Sequence, residues 1–183
     1  MKGGWLWGPL PDTADGIPVH VDFRRWMLFF RLLADPDVPE AVKPAVAARI
    51  VCRGIPDVRM PEESPDGRDR VTHALLTFAS GGEEPAEKGD PGEPLFDFGE
   101  DGERILASFR AAYGIDLTEA RMHWWVFLAL LRGLPPDSPF MRALCLRALD
   151  PAEIADDRMR REVRRAKRAV RLTPALRNNK EKE

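Results

Sequence analysis

Chemistry-bearing residues are scarce in this chain of 183 residues, which holds two cysteines, one tyrosine and three histidines. Cys52 and Cys145 stand far apart, so they read as small buried hydrophobes in a reducing compartment and not as a bridge. With His20, His73 and His123 scattered, no metal-ligand spacing emerges. GxxxxGK[ST], GxGxxG, HExxH and GxSxG are all absent. Their absence removes the common phosphate cradle, the dinucleotide fingerprint, the zinc-protease helix and the nucleophile elbow. No apolar run reaches about 18 residues, so no segment is expected to span a membrane. Gly and Pro interrupt the leading MKGGWLWGPLPD, which does not read as a signal peptide. The expectation is a non-enzymatic protein with no catalytic residue, cofactor or metal.

What is present is globular. Hydrophobic residues make up 44% and charged residues 32%, a balance that supports a packed core instead of disorder. The length fits one domain that folds without disulfide or metal. A net charge of -2 provides no global field to recruit nucleic acid or membrane.

Periodicity and breakers predict an all-α, single compact domain of six or seven helices. Residues 1–21, rich in Gly and Pro, read as an irregular arm with at most a small hairpin at Asp15-Gly16. The helical domain spans 22–172. Asp22 caps a first helix whose face is Phe23, Trp26, Met27, Phe30 and Leu33 or Ala34, and Pro36 stops it. A second helix follows from Pro39 to Cys52, with Val42, Val46, Ile50 and Val51 inward, ended by Gly54 and Pro56. A third covers Arg68 to Ala79. Residues 81–94, GGEEPAEKGDPGEP, have too few apolar side chains to pack and read as a flexible acidic loop.

Gly99 to Tyr113 forms the fourth helix, ended by a left-handed Gly114. Thr118 is the expected cap of a Trp-rich fifth helix ending at Gly133. Ser138-Pro139 opens the sixth. Asp150 and Glu153 suggest a capping box for the last helix, which runs to Leu172, and residues 173–183 read as a disordered tail.

Three features invite a functional reading. Asp97, Glu100, Asp101 and Glu103 resemble a carboxylate cluster, but acidic residues also suit the positive end of a helix dipole. His123 beside Trp124 and Trp125 reads as a structural histidine at a helix start. Those two tryptophans point about 100° apart, so one can fill the core while the other meets a neighbour or a partner. Arg158–Arg171 holds eight Arg or Lys among fourteen residues, against one Glu. The basic surface would comprise Arg160, Arg161, Arg164, Arg165, Lys167 and Arg168. It is either a solvated helix end or a face for acidic partners or nucleic acid, and its lack of aromatic residues argues against base stacking.

Val21-Asp22-Phe23-Arg24, Leu95-Phe96-Asp97-Phe98, Ile105 to Phe109, Tyr113-Gly-Ile-Asp-Leu117, His123-Trp-Trp-Val-Phe127, Gly133-Leu-Pro135 and Arg147 carry a resemblance. In order and spacing they resemble the gene-product-fifteen family of tailed bacteriophages, over roughly residues 10 to 165. The resemblance implies a tail-assembly protein, acting as a chaperone of the long helical tape-measure protein. The alternatives are a structural or joining component of the virion or a tail-like particle, and a regulator binding nucleic acid through the Arg-rich helix. It implies the tape-measure or another tail protein as partner, with self-association as a further option; charge and hydropathy make nucleic acid the less expected partner and point to no membrane. The expected location is the host cytoplasm for a chaperone and the virion for a structural part, with a prophage as an equally fitting source. An apolar groove that accepts an amphipathic helix suits that role. The candidate anchors are Phe23, Trp26, Phe30, Met122, Trp124, Trp125 and Phe127.

Overall fold

A computed structural model describes residues 8–53, 65–83 and 94–173. The elements run β1 Thr13–Ala14, β2 Ile17–Pro18, α1 Phe23–Ala34, α2 Lys43–Val51, α3 Pro65–Ala79, α4 Gly102–Tyr113, α5 Trp124–Arg132, α6 Pro139–Ala148, a 3-10 turn Pro151–Glu153 and α7 Asp157–Ala169. Among the described residues the fold is all-α apart from one small hairpin, as the periodicity predicts. The 81–94 loop and 173–183 tail lie almost wholly outside the described residues, as do Gly54 and Pro56.

The chain divides into two units. Described residues of the first lie within 1–90 and 121–129, and those of the second within 91–120 and 130–174.

In the first unit, Asp15 (φ 47°) and Gly16 (φ 81°) form the turn between β1 and β2. Two successive positive φ angles are what a two-residue hairpin with a right-handed twist needs. The chain then runs extended along the end of α2, where His20 N donates to Val51 O at 2.7 Å and Arg53 N to Pro18 O at 2.8 Å. Asp22 caps α1 by accepting from Arg24 N at 2.9 Å. Just before α1 the chain pairs with the segment preceding α5. Phe23 N donates to Met122 O at 3.1 Å, and Trp124 N donates to Val21 O at 2.7 Å. The starts of two helices are thereby clasped together.

The core of this unit is aromatic. Trp26 stacks on Phe78 at 4.8 Å and lies 6.3 Å from Trp124, while Phe23 stacks on Phe127 at 5.0 Å. Phe23, Trp26, Trp124 and Phe127 are at most 2% exposed.

α2 departs from the expected register. It starts at Lys43, Val42 is exposed, and Lys43, Ala47, Ala48 and Val51 are buried. Backbone chemistry outweighs hydropathy here. The Lys43 ammonium donates to Leu33 O at 2.8 Å and pairs with Glu40, so it satisfies a carbonyl that the end of α1 leaves open.

In the second unit Asp101 is fully buried at the foot of α4. It does not cap the helix with its side chain. It accepts both guanidinium arms of Arg147, at 2.6 and 2.9 Å, together with Arg104 at 2.9 Å and Asp97 N at 3.2 Å. Arg147, on α6, also donates to Leu95 O and Val170 O. One ion pair therefore ties the Leu95–Phe98 segment, α4, α6 and the end of α7. Burial alone would raise the Asp101 pKa, but the Arg147, Asp97 and Arg104 contacts hold it below the usual carboxylate value.

The carboxylate cluster disperses. Asp97 accepts from Gly99 N and Glu100 N, and Glu100 accepts from Thr173 N. Ser108 donates to Arg104 O and accepts from Phe140 N, joining α4 to the start of α6, which Ser138 caps.

Three boundaries differ from expectation because local hydrogen bonding intervenes. Thr118 caps no helix; its hydroxyl and amide donate to Asp116, and α5 starts six residues later. Asp150 caps the 3-10 turn and Asp156 caps α7, so the predicted single last helix is two elements. α4 starts at Gly102 and not at Gly99. Cys145 is exposed, unlike Cys52, so only one thiol is a core residue.

Breaking the buried pair should cost about 3–5 kcal/mol, since either partner removed alone leaves a buried charge uncompensated. Asp101→Ala and Arg147→Ala are expected to lower the urea midpoint sharply, with Arg147→Lys recovering little because an ammonium lacks the two-armed fork. A loss below about 1 kcal/mol in either alanine variant would contradict the role given to this pair.

Candidate functional site

α5 opens with three side chains that settle the backbone at helix ends of the first unit. His123 Nδ1 accepts from Trp125 N at 3.0 Å, so the imidazole caps α5. A neutral Nδ1 leaves the proton on Nε2, which donates to Pro11 O at 2.9 Å. Trp124 Nε1 donates to Ala79 O and Trp125 Nε1 to Phe78 O, both at 2.9 Å. Two adjacent indoles thus bind two adjacent carbonyls in the last turn of α3.

The same turn closes on itself. Gly81 N donates to Phe78 O at 3.0 Å and Gly82 N to Thr77 O at 2.9 Å, with Gly81 at φ 82°. That pattern is a Schellman cap, which needs a left-handed residue. Gly82, at φ 85°, also sits close under the indole, where a Cβ would lie a tight 3.0 Å from the Trp125 ring.

Beside this capped turn lies a groove of about 420 Å³. The hairpin forms one wall through Thr13, Ala14 and Asp15. α3 forms the other through His73, Ala74, Thr77 and Phe78, and the Trp125 ring closes one end. Trp125 is half-buried, whereas Trp124 is wholly buried. Thr77 Oγ1 is buried and finds no hydrogen-bond partner among the described residues. Asp15 at the rim is paired with Arg70.

Of the anchors predicted from sequence, Phe23, Trp26, Trp124 and Phe127 form the core, and Phe30 and Met122 are half-buried. Trp125 alone lines the groove. Sequence reasoning missed Thr77, Ala74 and the hairpin wall, since nothing in their local pattern places α3 beside residues 13–15.

The basic surface is less uniform than its sequence. Arg160 is held by Ile154 O, Ala155 O and Asp157, and Lys167 donates to Arg147 O and Leu149 O. Arg161, Arg164, Arg165 and Arg168 are exposed. Burial pushes the Cys52 thiol pKa up, away from nucleophilic use at neutral pH. Among the described residues no group of three or more His, Cys, Asp or Glu is placed to hold a metal ion, and no helix is long and apolar enough to cross a membrane.

A family model described as bacteriophage Gp15 protein matches residues 14–172, most of the chain. Neither the curated proteins nor the solved structures yield a match.

Burial lowers the His123 pKa from 6.5, outweighing the opposing pull of Pro11 O and Asp12. A group whose folded pKa is depressed adds stability that is complete above its unfolded value and is lost as pH falls through the folded one. The urea midpoint should therefore decline below about pH 6.5, where the unfolded chain takes up the proton first. His20, likewise lowered by burial and by Arg25 and Arg53, contributes with the same sign. His123→Asn keeps a cap acceptor but cannot titrate, so it should flatten part of that decline. An unchanged slope in this variant would exclude the neutral-cap assignment.

Proposed function

The chain belongs to the bacteriophage Gp15 family, and from that footing we propose that it is a non-enzymatic tail-assembly protein that chaperones the tape-measure protein. The observation that carries this reading is the groove between β1 and α3. Its volume of about 420 Å³ suits apolar side chains projecting from one helix face. Phe78 and Trp125 offer aromatic surface, and the Thr77 hydroxyl offers one buried polar group to whatever lies there. A tape-measure segment before tube assembly is an amphipathic helix with an unpaired apolar stripe, the form of partner such grooves accept. On this reading the protein acts in the host cytoplasm and is absent from finished particles.

The test is co-expression with helical fragments of the tape-measure protein from the same genome, followed by pull-down and titration. Trp125→Phe keeps an aromatic but smaller ring and loses the indole donor, and Thr13→Arg obstructs the rim from an exposed position. Truncating a central anchor costs about 2 kcal/mol, so roughly thirtyfold weaker binding is expected of the obstructed groove. Fragments retained equally by wild type and Thr13→Arg would exclude the groove, and no retention of any fragment would exclude the chaperone reading. Mass spectrometry of purified particles separates a chaperone, which is absent, from a joining component, which is present.

A further inference from the structure

α7 sorts its cations by face. Arg160 and Lys167 bond to carbonyls of neighbouring segments, and Arg158 pairs with Glu162. The side chains of Arg161, Arg164, Arg165 and Arg168 form no hydrogen bond or ion pair among the described residues. At 100° per residue those four fall within an arc of roughly 100°. The opposite side holds the half-buried Val163, Ala166 and Val170. The helix is thus attached by one face and presents the other as a stripe of four guanidinium groups.

Repulsion between cations three and four residues apart works against the helix. The C-terminal dipole offsets it only near Arg168. Every free cation is arginine, whose flat fork pairs two-armed with carboxylate or phosphate, whereas the single lysine of α7 serves as a tether.

We propose that this stripe docks an acidic helical segment of a partner protein. A helix with Asp or Glu at i, i+4 and i+7 repeats at the same rise and turn as the four arginines, so successive carboxylates meet successive guanidinium groups. Carboxylates fit better than a nucleic-acid backbone for two reasons. α7 has no aromatic side chain on which a base could stack. Asp150, Glu153, Asp156 and Asp157 precede the stripe along the chain, and they would repel a phosphate chain continuing in that direction. A partner segment of limited length avoids them. The stripe lies in the second unit and the groove in the first, so either can fail without the other.

The full chain should be titrated by fluorescence anisotropy with a labelled Ala-rich helical peptide carrying Glu at i, i+4 and i+7. The probes for comparison are the same peptide with Gln in place of Glu and a short DNA duplex. The acidic peptide is expected to bind with an affinity that falls about tenfold or more between about 50 and about 200 mM salt, and the Gln peptide to bind far less. Arg161→Gln/Arg165→Gln/Arg168→Gln should abolish most of this binding with an unchanged thermal midpoint, while Arg110→Gln should leave it intact. Equal binding by the triple variant, equal binding of the Gln peptide, or tighter binding of the duplex at matched ionic strength would each overturn the proposal.

Discussion

The first unit depends on settling the backbone groups that helix ends leave open, and most of that work is done by His123-Trp124-Trp125. Four amides at a helix start and four carbonyls at its end need partners from elsewhere, and leaving them buried and unpaired costs more than a bond returns. His123 supplies an acceptor to its own helix, and the two indoles supply donors to the end of α3. Trp26 Nε1 follows the same rule by donating to His20 O at 2.7 Å. Trp26 and Trp124 thus place an apolar ring in the core and their one polar atom on a carbonyl, and Trp125 bonds a carbonyl in the same way from the groove wall, so none of these three indoles is left without an acceptor. Phenylalanine would fill only part of the space and would supply no donor to these carbonyls.

The second unit solves a similar problem with charge. A buried carboxylate is tolerable only when fully paired, and Asp101 has four donors. The bidentate Arg147 contact fixes a direction as well as a distance; Nη1 also donates to Leu95 O, Nε donates to Val170 O, and the Arg147 carbonyl accepts from Lys167. Geometry of this type specifies one arrangement of four chain segments, whereas apolar contacts alone would accept several.

Legibility followed the range of the interaction. Helices with a sharp apolar stripe and a local cap were readable: α1 from Asp22 and its periodicity, α6 from Ser138-Pro139, and the Asp15-Gly16 turn from two residues able to take positive φ. Where a distant partner decided the outcome, local pattern misled. Lys43 is buried because Leu33 O needs a donor, and Asp101 faces α6 because Arg147 lies there. Thr118 looks like a cap, yet Asp116, two residues away, takes its hydroxyl. The groove was invisible for the same reason, being a product of hairpin placement and not of any motif. Only the tryptophan pair marked the neighbourhood correctly, and sequence could not say that Trp124 is core and Trp125 the groove wall.

The distinction between structural and available groups runs through both units and bears on how aromatic and basic segments are read. A tryptophan or arginine count measures supply, but function depends on what remains after the fold has used its share. Six of the seven nominated aromatic and Met anchors lie away from the groove, because clasped helix ends and stacked rings consume them. Arg160 and Lys167 are likewise consumed by carbonyls of neighbouring segments. The remainder is a small groove with one indole and a stripe of one residue type. Each is chemically simpler than the segment that contains it, and simplicity of that kind narrows the partner: a helix with an apolar face for the groove, a row of carboxylates for the stripe.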